Sequence, residues 1–194
     1  MSTVIHLSWE YPPWSVGDLS RRLKFLLPAL NDLVPLAFVV RADKDELIKM
    51  DGINVHKVGM SIMTFPNFIA YSHALNIELA RGGANAIHND PKIKLIHTHD
   101  WISSIAGVYL AAYFRLPLII SVYSTELTRA RPPLNAVSKG IYDLERYCFQ
   151  KAVALIVESA EMKSHLAELY KLTDKATVCA DPALIQELYR RWLV

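Results

Sequence analysis

Two histidines stand two residues apart in Ile96-His97-Thr98-His99-Asp100-Trp101, just after a short apolar stretch rich in β-branched residues. In an extended strand, side chains two apart point the same way, so His97 and His99 are placed to share one ligand, a metal ion or a substrate. A metal needs further ligands: His6, Glu10 and Glu126 qualify by type and count only where the fold brings them together. Asp100 precedes a helix-like segment and is a residue type that accepts from the first free amides of a helix, which makes it an N-cap whatever else the site does. The plain alternative for His97 is a hydrogen-bonded core residue.

Two other segments have unusual composition. Residues 8–19 contain Trp9, Glu10, Tyr11, Pro12, Pro13, Trp14 and Gly17 between a strand-like and a helix-like stretch. Free N–H groups and the positive end of the helix dipole at such a junction suit an anion, phosphate above all. Gly17 permits close approach of a ligand, but one glycine is not the G-x-G-x-x-G of a dinucleotide fold, and no Walker sequence occurs. A stiff surface loop explains Pro12, Pro13 and Trp14 equally well, and a turn explains Gly17. Residues 123–133 supply Ser124, Thr125, Glu126 and Arg129, able to hold a hydroxyl-rich ligand or to form a solvated loop with an ion pair. The other histidines carry less weight: His73 and His165 fall in helical stretches, His56 and His88 in or near loops, and all four read as surface or packing residues.

Seven short apolar runs, residues 4–7, 36–40, 53–58, 93–96, 118–122, 155–157 and 177–179, read as buried strands. Amphipathic stretches at about 19–30, 67–79, 102–114, 136–151, 160–170 and 182–193 read as helices. Strand and helix alternate, which demands crossovers and predicts a doubly wound, Rossmann-like α/β fold: an open parallel sheet with helices on both faces. In such sheets ligands bind outside the carboxyl ends of the strands, where all three loops fall.

The length of 194 residues suits one domain spanning 1–194, with no internal repeat, low-complexity tract or linker. The net charge of +2 is small and the Lys and Arg residues are dispersed, which argues against nucleic acid as a partner. Two cysteines, Cys148 and Cys179, cannot make a disulfide framework. No signal peptide and no apolar run of membrane-spanning length is present, so the expected location is the cytoplasm, without a membrane span.

Trp9-Glu10-Tyr11-Pro12-Pro13 leading to Val16-Gly17-Asp18-Leu19-Ser20, then Ile96-His97-Thr98-His99-Asp100-Trp101, Ser121-Val122-Tyr123-Ser124-Thr125-Glu126, Ile141-Tyr142-Asp143-Leu144-Glu145-Arg146 and Val157-Glu158-Ser159 follow in an order and spacing that resembles the amino-terminal domain of retaining GT-B glycosyltransferases, the group of glycogen and starch synthases. The resemblance covers nearly the whole chain. It implies half of a GT-B fold, with the donor-binding carboxyl-terminal domain absent, the first loop against the donor's diphosphate, the residue matching His99 on the donor sugar, and most acceptor contacts on this side.

Three departures stand out. Asp18 replaces a second glycine beside Gly17, Tyr123 stands where many relatives have histidine, and Thr177-Val178-Cys179-Ala180-Asp181-Pro182 replaces an Asn-Gly segment. A carboxylate ~4 Å from a phosphate charge at an effective dielectric of ~20 costs about 4 kcal/mol, or roughly a thousandfold in affinity, unless Asp18 turns away or is protonated.

The expected function is therefore the acceptor side of a retaining transfer from a nucleotide sugar to a glucan or other hydroxyl acceptor, inactive without a donor domain, whether this chain is a fragment of a longer protein or a subunit completed by a separate donor-domain polypeptide. His99 is the candidate catalytic residue; Glu10, Tyr11, Gly17, Asp18, His97, Asp100, Tyr123, Glu126 and Arg129 are the candidate substrate-binding residues. No cofactor and no metal are expected. The competing expectations are a non-catalytic sugar-binding or interaction protein derived from the same fold and, on His97 and His99 alone, a metal-dependent hydrolase.

Overall fold

The computed structural model describes residues 2–15, 17–130 and 133–193. Val16 of the first loop and Arg131 and Pro132 of the third lie outside the described residues. Among the described residues, eight strands form one sheet in the order β3-β4-β2-β1-β5-β6-β7-β8. Seven run parallel to one another: β1 (Thr3–Ser8), β2 (Leu36–Arg41), β4 (Ile53–Val58), β5 (Ile93–His99), β6 (Leu118–Ser121), β7 (Ala154–Val157) and β8 (Ala176–Val178).

Edge strand β3 (Glu46–Met50) departs from the all-parallel expectation: it runs antiparallel to β4. Asp51 and Gly52, both at positive φ (51° and 80°), make the two-residue turn between them. Its Glu-Leu-Ile-Lys-Met sequence is mostly solvent-facing, so it lacks the continuous apolar run that marks the buried strands.

The described residues also form seven helices: α1 (Asp18–Asn31), α2 (Phe68–Asn89), α3 (Trp101–Phe114), α4 (Glu126–Arg129), α5 (Ala136–Lys151), α6 (Ala160–Leu169) and α7 (Pro182–Arg190). α1 buries Leu19, Leu23, Leu27 and Leu30 at near-helical spacing and, with Ile185, Leu188 and Tyr189 of α7, covers one sheet face through Val4, Phe38, Leu95, Ile119 and Ile156. α2, α3, α5 and α6 cover the other face, over Ile5, Leu7, Val39, Ile96, Ile120 and Leu155. The alternation of residues 4 and 5, or 95 and 96, between these cores is the period-two signature of a strand buried on both faces.

α2 runs ten residues past its expected end, through Gly82-Gly83. Those glycines mark close packing rather than a helix stop: a Cβ on Gly82 would meet Val39 Cγ1 at 3.0 Å, and one on Gly83 would strike Leu110 of α3. Among the described residues no helix is long and apolar enough to cross a membrane.

Candidate functional site

From β1 the chain passes through α1 to β2 on one side, and β5 lies on the other side of β1. The switch point of the doubly wound sheet is therefore between β1 and β5, where the loops after these strands open a crevice. Both loops identified there from sequence lie on this carboxyl edge.

In the first loop, Ser8 Oγ donates to the Glu10 carbonyl (2.9 Å) and turns the chain out of β1. The Glu10 side chain folds back, and its Oε2 accepts from the Ser20 backbone N–H (3.2 Å) in the first turn of α1. Gly17 N–H donates to Ser20 Oγ (2.8 Å), which donates to the Gly17 carbonyl (2.9 Å). The anion at this helix N-terminus is thus the protein's own carboxylate. Gly17 has extended φ (−149°), so its need is spatial: a Cβ there would lie 2.8 Å from the carboxyl carbon of Glu10. Asp18 turns outward with its side chain 88% exposed and pairs with Arg21. Tyr11 is buried in the core under α1, edge-on to Phe38 with ring centroids 5.0 Å apart. The Pro12–Pro13 peptide is cis.

His97, Thr98 and His99, expected in a loop, are the last residues of β5 and are fully buried. His97 and His99 point to the α1/α7 face, where His6, the partner of His97 in the β1–β5 register, joins them. His6 Nδ1 and His99 Nε2 share a hydrogen bond of 2.8 Å, and His99 Nδ1 meets the Tyr123 hydroxyl at 3.1 Å. His97 Nε2 meets Ser121 Oγ at 2.8 Å and its Nδ1 meets the Tyr189 hydroxyl, which also lies 3.4 Å from His6 Nε2. Burial drives the pKa of His99 down to about 3 and those of His6 and His97 well below the usual imidazole value. The network is neutral at ordinary pH. One nitrogen from each ring lies within 4.8 Å of the others, close enough to hold a metal ion, and neither Glu10 nor Glu126 joins this group. Each ring nitrogen already has a partner within the protein, so nothing in the trio is left unsatisfied for an ion to complete.

Asp100 caps α3 as expected, accepting from the Trp101 N–H (2.8 Å). Its backbone has φ 66° and ψ 166°, a conformation that costs a non-glycine residue about 1–3 kcal/mol and needs its surroundings to hold it. Burial raises the Asp100 carboxyl to about pKa 6, against the pull of Arg129.

Within the third loop, residues 126–129 fold into α4, which carries the Glu126–Arg129 ion pair and is pinned by Glu145, fully buried on α5. Both Glu145 oxygens accept from the Glu126 N–H (2.9 Å each), Oε1 accepts from Arg129 (2.7 Å), and Oε2 accepts from the Tyr170 hydroxyl. Arg129 also binds Ser124 Oγ (2.6 Å) and lies 6.0 Å from the Trp101 ring centroid, so α4 stands over the start of α3. Thr125 Oγ1 meets His165 Nε2 at 2.8 Å, giving that helical histidine a place beside the site. His56 lies within β4 and His88 within α2.

The predicted residues therefore form three adjoining groups: Glu10 and Gly17 at α1; His97, His99 and Tyr123 under α7; Asp100, Glu126 and Arg129 around α3 and α4. Tyr11 and Asp18 join none of them. Of the three further ligands the sequence offered, only His6 joins the histidine pair; sequence reading gave no site role to Ser20, Glu145 or Tyr170. For Glu145 a signal existed: it shares an apolar helical stripe with Ile141 and Phe149, where an acid is buried only when paired.

A doubly wound sheet with the N-terminus of α1 and the loop after β5 at its switch point is the Rossmann-like architecture of one half, the amino-terminal one, of a GT-B glycosyltransferase. It belongs to Glycosyltransferase Family 4, whose profile matches residues 26–180. It is 25% identical over 186 residues to the glycogen synthase of Mycobacterium tuberculosis, an alignment covering 86% of this chain and 44% of that protein. Among solved structures it resembles sucrose-phosphate synthase from Thermosynechococcus elongatus (TM-score 0.74, 16% identity, 92% of this chain and 47% of that one). It also resembles HepE from Anabaena, solved with UDP-glucose (TM-score 0.60, 13% identity, 98% of this chain and 50% of that one). The chain thus spans about half the length of these relatives.

Proposed function

We propose that this chain is the acceptor side of a retaining glycosyltransferase acting from a nucleotide sugar onto a glucan or other hydroxyl acceptor, and that a donor-binding domain must face it for transfer. The observation that carries the reading is the placement of the first turn of α1 and the end of β5 on one edge of the switch point, in a family 4 fold. In this reading the donor's diphosphate takes the α1 amides now held by Glu10, and Gly17 leaves room for that exchange. His99 has no exposed atom, so its contact with the donor sugar requires the Tyr123 hydroxyl to leave Nδ1; Tyr123 is the movable group between the buried histidines and the crevice. Asp100 holds the amino end of α3, while Glu126 and Arg129 bound the crevice on the acceptor side.

Calorimetric titration with UDP-glucose, ADP-glucose and malto-oligosaccharides tests binding, and addition of a donor-domain polypeptide tests transfer. With that partner, His99→Ala is expected to lose transfer while the circular dichroism spectrum stays native. Absence of saccharide binding together with absence of transfer defeats the enzymatic reading. One observation favours a second reading, a non-catalytic sugar-binding protein: Glu10 already fills the anion position at α1. Binding of saccharides without transfer in the reconstituted pair would select it.

A further inference from the structure

Two buried side-chain nitrogens lack a hydrogen-bond partner among the described residues, Trp9 Nε1 and Arg41 Nε. Ser8 pairs with Val40 in the parallel β1–β2 register, so Trp9 and Arg41 are the next residues along adjacent strands; strand alternation puts Arg41 on the α2 face, while Trp9, past the end of β1, packs against both cores. Arg41 also pairs in register with Val58, the last residue of β4. The carboxyl ends of β2 and β4 thus frame a cavity of about 350 Å³ lined by Trp14, Arg41, Ala42, Asp43, Met60 and Met63.

Its charge balance is uneven. Asp43 pairs with Lys57 (3.2 Å), which also binds Glu46 (2.8 Å). Lys57 in turn lies 5.2 Å from the Trp14 ring centroid, covering one aromatic face. Arg41 enters none of the ion pairs among the described residues. Among the described residues the one acid lining the cavity, Asp43, is matched by Lys57, which leaves the Arg41 guanidinium, beside an indole and two thioethers, as a counter-ion for an oxyanion with a less polar body attached. The volume is at the small end for ligand pockets and suits a monosaccharide-sized body better than a polymer chain.

We propose that this cavity is an acceptor subsite that binds a sugar carrying an oxyanion, a phosphoryl or carboxylate group, with Arg41 as its counter-ion and Trp14 against the ring. The proposal rests on the acceptor-side reading above and narrows it, since a neutral glucan would leave Arg41 unmatched. The 194-residue chain is titrated calorimetrically with glucose 6-phosphate, glucuronate and glucose, and separately with UDP-glucose. One of the two anionic sugars is expected to bind at least about tenfold more tightly than glucose, and which one identifies the anion. Arg41→Gln is expected to abolish that preference, and Arg41→Lys to keep part of it, because lysine retains the charge without the planar fork. Anionic sugars that bind no better than glucose, or a preference unchanged in Arg41→Gln, overturn the proposal. UDP-glucose binding, or transfer with a donor domain, without anionic-sugar preference would sink this subsite and leave the broader reading intact; no saccharide binding and no transfer would sink both.

Discussion

Asp18 and Glu10 are both acids of the loop expected to face a diphosphate, and the fold gives them opposite roles. Asp18 was the residue whose charge threatened donor binding; with its side chain 88% exposed and paired with Arg21, it is screened by water and by its neighbour. Glu10 is buried at the α1 amides. Titrated with UDP-glucose, Asp18→Asn is therefore expected to change affinity by no more than about twofold. Glu10→Gln should tighten binding by about tenfold or more, since a carboxylate within ~4 Å of a phosphate opposes it by up to about 4 kcal/mol at an effective dielectric of ~20. Weaker binding in Glu10→Gln would mean that the carboxylate contacts the ligand favourably instead of competing with it.

α4 and α5 form a unit whose order depends on one buried acid. Removing Glu145 strips the Glu126 amide, Arg129 and Tyr170 of a common acceptor, and breaking such a buried, multiply bonded charge costs about 3–5 kcal/mol. Urea unfolding of Glu145→Ala should show a loss of this size, with faster amide exchange across residues 124–130; an unchanged midpoint would show that α4 is held by packing alone. This lock also illustrates what sequence reading can reach. The parallel strands, the six long helices and the Asp100 cap follow from periodicity and residue type, which act locally. Strand β3 escaped because its solvent-facing Glu, Leu and Lys break the apolar run, although Asp51-Gly52 is a hairpin signal. The end of β5 escaped because His97, Thr98 and His99 are polar yet fully buried, and the partners that satisfy them come from β1, β6, α3 and α7. His6 meets His99 across 93 positions of sequence, a contact that no local pattern encodes.

The histidine network joins β1, β5, β6 and α7, so its protonation is felt by the fold as a whole. The native rings stay neutral while unfolded histidines take up protons below about pH 6.5, so the unfolded state binds more protons and stability falls with acidification from about pH 6.5 down to the depressed native pKa, about 3 for His99. Each ring removes up to about 1.4 kcal/mol per pH unit in that window. Chemical unfolding measured at pH 7, 6 and 5 should show this slope, and His99→Gln should flatten it; equal slopes in the two proteins would contradict a neutral buried ring. The contact between Tyr189 and His6, 183 residues apart, has a further consequence during synthesis. The first strand leaves the ribosome long before the residue that covers its histidine has been made, so His6 stays hydrated and the central strands lack part of their roof until translation has passed α7. Nascent chains halted before that helix should be open to proteases across β1 and β5, and the same chains released after it should resist them.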